Sequence, residues 1–86
     1  MGTKLKIAAA GNVTVPAYLA LQQRGYRVRR ETRDSGETWS AESETTELLA
    51  DDLVALLGLA TVAESRGSNW KASDKEIDDF IQKFPH

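Results

Sequence analysis

Read for alternation and periodicity, the chain divides into short strand-like and helix-like segments separated by turn residues. Lys4 to Ala10 (KLKIAAA) opens with Leu5 and Ile7 on one side and Lys4 and Lys6 on the other. That period of two is the signature of a half-buried strand. Gly11-Asn12 breaks it. Thr14 is placed to cap a helix that starts near Val15-Pro16, where proline's missing N–H is no loss. The helix runs through Ala17, Tyr18, Leu19 and Leu21 to Arg24. Gly25 follows where a left-handed residue usually ends a helix.

Tyr26 to Arg33 reads as the second strand, Asp34-Ser35-Gly36-Glu37 as a tight turn, and Thr38 to about Glu44 as the returning strand. Closing the hairpin on Ser35-Gly36 sets Arg33 opposite Thr38, Arg29 opposite Glu42 and Arg27 opposite Glu44. Such charge-complementary pairs contribute up to ~1 kcal/mol each. The other face then carries Tyr26, Val28, Arg30 and Thr32 against Thr45, Ser43, Ala41 and Trp39. Its aromatic residues make it the core face, and Arg30 fits there only near an edge. Glu47-Leu48-Leu49-Ala50 suits either a short fourth strand or the lead-in to a helix.

Asp51 or Asp52 is a good N-cap, with negative charge at the positive helix end. The helix that follows continues to about Ser65 and stops at Arg66-Gly67. From Leu53 to Ala63 it is apolar nearly all round, so it is either sandwiched in the core or half-buried and covered by a partner. Ser73 and Glu76 form an S-x-x-E capping box. Ile77, Phe80, Ile81 and Phe84 then follow at i, i+3, i+4 and i+7, an amphipathic stripe expected to cover one side of the Leu53–Ala63 helix. Pro85 stops the last helix. The order β-α-β-β-(β)-α-α predicts an α+β fold. Its core is a small mixed sheet of three to four strands, the first crossover right-handed and the helices mainly on one face.

The length of 86 residues suits one domain spanning 1–86. Apolar residues make up 41% of the chain, with ordinary charge, which argues against disorder. With no Cys and one His, His86, disulfide scaffolds, thiol chemistry, thiolate zinc sites and His-based triads are excluded or remote. The apolar runs are too short for a signal peptide or for the roughly 20 residues of a membrane span. The expectation is therefore a cytoplasmic protein without a membrane partner.

The net charge of −2 hides a segregation, with residues 1–33 at +6 and residues 34–86 at −8. Arg24, Arg27, Arg29, Arg30 and Arg33 make the basic cluster. One reading is single-stranded nucleic-acid binding by Arg27, Arg29 and Arg33 with an aromatic neighbour. The plainer reading is a solvated hairpin face neutralised by Glu42 and Glu44, and the acidic balance favours it. Gly11, Asn12, Val13 and Thr14, between a strand and a helix, offer backbone N–H groups to a phosphate or carboxylate. They lack the spacing of a dinucleotide fingerprint or a Walker loop and have no lysine beside them. Glu42, Glu44, Glu47, Asp51 and Asp52 are explained by pairing and capping, so no metal or other cofactor is expected.

Catalysis is disfavoured, since no nucleophile stands beside a base. The leading expectation is a non-catalytic module that binds another protein or itself, the latter as a homodimer. Its contacts would come from the Leu53–Ala63 helix, with Leu53, Leu56, Leu57 and Leu59, from Arg66 and Trp70, and from the charged hairpin face. Trp70 could equally fold back as a lid on the core. Small regulators, adaptors and toxin-neutralising partners share this size and charge.

Overall fold

The computed structural model describes residues 2–85, with the Arg33 side chain outside the described set. Residues 2–9 form neither helix nor strand, and every one of them is exposed. The expected strand over Lys4–Ala10 is therefore absent. Leu5 is 86% exposed and Ile7 71%. An alternating segment becomes a strand only when an edge pairs with it. Ala8, Ala9 and Ala10 add little β-propensity of their own.

A 3-10 turn at Gly11–Val13 leads into α1, Thr14–Gln23. Thr14 is the first residue of α1 rather than its cap, and Val13, at the capping position, makes no side-chain cap bond. The helix closes with a Schellman arrangement. The Tyr26 amide donates to the Leu21 carbonyl at 3.1 Å and the Gly25 amide to the Gln22 carbonyl at 3.0 Å. Gly25 takes φ 91°, as its expected role requires.

Three strands follow, β1 at Arg27–Arg33, β2 at Gly36–Glu42 and β3 at Glu47–Ala50. They form one antiparallel sheet in the order β1-β2-β3. The sheet is thus not mixed, and there is no parallel crossover from a first strand. Glu47–Ala50 resolves as a strand.

The hairpin closes two residues away from the charge-derived register. Arg27 faces Glu42, Arg29 faces Ser40 and Arg33 faces Gly36. Turn geometry decides this, because Asp34-Ser35 form the loop and Gly36 takes φ 121°. A slip of two residues keeps every side chain on its face. Val28, Trp39, Ala41, Leu48 and Ala50 therefore still point to the core. Arg30 is tolerated there because β1 is an edge strand. Its guanidinium lies 5.7 Å from the Trp39 ring centroid and 3.7 Å from Glu37.

Helix α2, Leu53–Arg66, begins at Asp52, whose carboxylate accepts the Ala55 amide at 2.7 Å. Gly67 ends it at φ 65°. Helices α1 and α2 pack against each other and on the same face of the sheet. Between the two layers sits a core of Ala17, Leu21, Tyr26, Ala41, Leu53, Leu56 and Ala60. Among the described residues only Leu21 and Leu56 are large and fully buried, so the core is small for the chain.

Helix α3, Asp74–Lys83, carries the complete capping box. Ser73 Oγ accepts the Glu76 amide and the Glu76 carboxylate accepts the Ser73 amide. The helix does not cover α2 as expected. It buries no residue, and Ile77, Phe80, Ile81 and Phe84 are all exposed. The path of the chain explains this. A second 3-10 turn, Gly67–Asn69, follows α2, and Arg66 reaches past it to the Trp70 carbonyl at 2.9 Å and to Glu76 at 3.1 Å. These bonds set where α3 starts, clear of the α2 surface.

Candidate functional site

β3 and the outer face of α2 form an apolar concavity. It is a groove of about 330 Å³, walled by Leu48 and Leu49 from β3, Leu59 and Val62 from α2, and Trp70, with Glu47 at one end. Two local causes build it. The apolar run of α2 leaves Val54, Leu59 and Val62 exposed once Leu53, Leu56 and Ala60 are buried. The sheet stops at β3, so the backbone polar groups on its far side have no strand partner. Trp70 closes one wall at 53% exposure, with the Lys71 ammonium 5.7 Å from its ring centroid.

Of the residues expected to make contacts, Leu59 and Trp70 meet in this groove. Leu57 is half-buried against the core. Leu53 and Leu56 are inside it, so they hold the fold together and present nothing to a partner. Arg66 is engaged with Trp70, Lys71 and Glu76. It ties the end of α2 to the start of α3 instead of meeting a partner. Val62 lies on the Leu53–Ala63 helix expected to make contacts, whereas Leu48 and Leu49 were not anticipated. The ambiguous Glu47–Ala50 segment was the one available signal, and an edge is defined only once strand order is known.

A second cleft, of about 460 Å³, is polar. Arg24 from the end of α1, Tyr26, Glu64 from α2, and Ser43, Thr45 and Thr46 from the β2–β3 turn line it. Its charges satisfy one another. Arg24 lies 3.7 Å from Glu64 and donates to Thr61 Oγ1 at 3.1 Å, while the Tyr26 hydroxyl donates to Glu64 at 3.3 Å. Burial, with the Glu64 carboxylate second, pushes the Tyr26 phenol above its ordinary value. The hydroxyl therefore stays protonated near neutral pH. A tyrosine recruited as a base or nucleophile needs the opposite shift.

In the Gly11–Thr14 turn, two of the four backbone donors are already engaged. The Val13 amide donates to the Ala10 carbonyl at 3.1 Å and the Thr14 amide to the Gly11 carbonyl. No strand leads into this turn, so there is no strand-end crevice beside it. The basic cluster is also dispersed. Arg27 pairs with Glu42 at 3.3 Å, and Arg27 and Arg29 share the open sheet face. Arg24 and Arg30 lie on the helix side. Along β1, β2 and β3 the open face carries no aromatic residue for a base to stack on. Arg33 pairs through its backbone with Gly36. Its side chain and His86 lie outside the described set.

Among the described residues no three His, Asp or Glu side chains converge as a metal site, and no helix is long and apolar enough to cross a membrane. Compared with protein-family models, curated proteins and solved structures, the chain matches none.

Proposed function

We propose that this protein is a non-catalytic interaction module that works by associating with a second copy of itself. The observation that carries the reading is the amount of surface left uncovered. A compact monomer of 9.5 kDa exposes about 5,000 Å². This chain exposes 7395 Å². The excess, roughly 2,400 Å², surpasses the ~800 Å² that one partner contributes to a standard interface. The radius of gyration agrees, at 15.6 Å against about 12 Å for a compact chain of this length.

The uncovered surface is apolar where it matters. One part is the β3–α2 groove. The other is the α3 stripe, where Phe80 is 63% exposed and its ring lies 5.2 Å from that of Phe84. Patches of this kind on a small protein mark interaction surfaces.

Light scattering over a concentration series tests the reading. The expected result is a mass that rises from that of one chain to twice it. Phe80→Ser with Ile81→Ser should weaken the dimer without unfolding the chain. A single-chain mass up to millimolar concentration would overturn the reading.

A further inference from the structure

The N-terminal segment and the β3 edge are complementary in pattern, in hydrophobicity and in charge. We infer that Lys4–Ala10 of one copy adds as a fourth strand to the β3 edge of a second copy, reciprocally, in a two-fold dimer. The inference rests on the self-association proposed above and names its contact.

The segment already has a strand's alternation and is unpaired, with Leu5 and Ile7 among the most exposed apolar side chains of the molecule. The β3 edge offers the backbone partners such a segment lacks. Added strands continue a sheet's alternation, so residues level with Leu48 and Ala50 point to the helix side and residues level with Glu47 and Leu49 to the open side. With Leu5 and Ile7 on the helix side, both enter the groove walled by Leu59, Val62 and Trp70. Lys4 and Lys6 then fall on the open side, the side of Glu47 and Leu49. Parity makes this outcome independent of whether the added strand runs parallel or antiparallel to β3.

The charges of the open face support the same occupant. Glu47 sits directly opposite Glu42 in the β2–β3 ladder. Like charges facing each other across strands are unfavourable. Glu42 is neutralised from its other side by Arg27. Among the described residues Glu47 has no ion-pair partner, and neither have Lys4 and Lys6. A lysine beside Glu47 completes the row Arg27–Glu42–Glu47–Lys across four strands, with a cation on each side of the facing carboxylates.

The decisive variant is Leu5→Ser with Ile7→Ser. Both side chains stand in solvent, so the exchange leaves the core intact, and an unchanged far-UV circular dichroism spectrum verifies it. The expected result is a dimer dissociation constant raised by at least about tenfold. Lys4→Glu with Lys6→Glu should weaken the dimer as well, and adding Glu47→Lys should restore it. A synthetic peptide of residues 3–10, added to the Leu5→Ser, Ile7→Ser protein, should shift the amide resonances of Leu48, Leu49 and Ala50. A dimer unaffected by Leu5→Ser with Ile7→Ser overturns the inference while leaving self-association in place, with α3 as its contact. A wild-type chain that stays monomeric overturns both.

Discussion

Leu56 and Phe80 show how differently two apolar side chains act when one is inside the core and the other outside it. Leu56 is fully buried between α1, α2 and the sheet, and Leu56→Ala should cost about 2–5 kcal/mol in urea unfolding. In a core with only two large, fully buried side chains, that is a major fraction of the stability. Phe80→Ser should change monomer stability by no more than about 0.5 kcal/mol. Gly25 is the opposite kind of position, since open space surrounds it and an added Cβ meets nothing within 4 Å. Gly25→Ala should still cost about 1–2 kcal/mol, because φ 91° is strained for any residue with a Cβ. The measurement is a thermal midpoint lowered by several degrees. Tyr26 adds a dependence on alkaline pH. Its folded pKa lies above the ordinary 10.0, so its contribution is complete below pH 10 and is lost as pH rises through the folded value. Phenolate absorbance in a Tyr18→Phe background should show Tyr26 ionising later in the folded protein than in urea.

Helix α3 is the element whose stability is most nearly its own. With ten residues and no buried side chain, it depends on its N-terminal bonds more than on packing. Glu76 is central to them. The Ser73 amide and then the Arg66 guanidinium hold its carboxyl below the ordinary 4.5. The folded value is the lower one, so the contribution is complete above pH 4.5 and disappears as pH falls through the folded value. Carbon-13 chemical shifts should therefore show α3 losing helicity in acid before α2 does. Glu76→Gln should lower α3 helicity at neutral pH and flatten that acid response, and an α3 equally helical in both proteins at every pH would refute this account. Ser73→Ala should weaken the helix by about 1 kcal/mol, visible at α3 and absent from the melting of the core.

At the scale of the whole molecule, the controlling quantity is the balance between a seven-residue core and a surface larger than the chain's mass requires. Association that covers the apolar groove and stripe adds the burial that the monomer lacks, so the dimer should melt later than the monomer. The thermal midpoint is accordingly expected to rise with protein concentration. The same rise should be reduced in the Leu5→Ser, Ile7→Ser protein. Charge acts on this scale too. The proposed contact joins the basic N-terminal region of one copy to the acidic β3 edge of another, so salt should weaken the dimer through screening. A purely apolar contact at α3 would respond little.

Local chemistry was legible at most helix ends, with Thr14, which starts α1 instead of capping it, as the exception. Gly25 and Gly67 end their helices, Asp52 begins α2, and Ser73 with Glu76 caps α3, because orphan N–H and C=O groups at a helix end are satisfied within a few residues of sequence. The inward face of the hairpin was legible for a similar reason, since alternation survives a two-residue slip in register. Tertiary structure alone decided what each surface meets. Lys4–Ala10 has a strand's pattern but no neighbour in its own chain, and the α3 stripe has the spacing of a core helix but is aimed away from the core. The Leu53–Ala63 run carries no mark of which leucines face inward when nearly every side is apolar. Hydrophobic attraction is non-directional, so pattern specifies that a face prefers burial and only the path of the chain specifies against what.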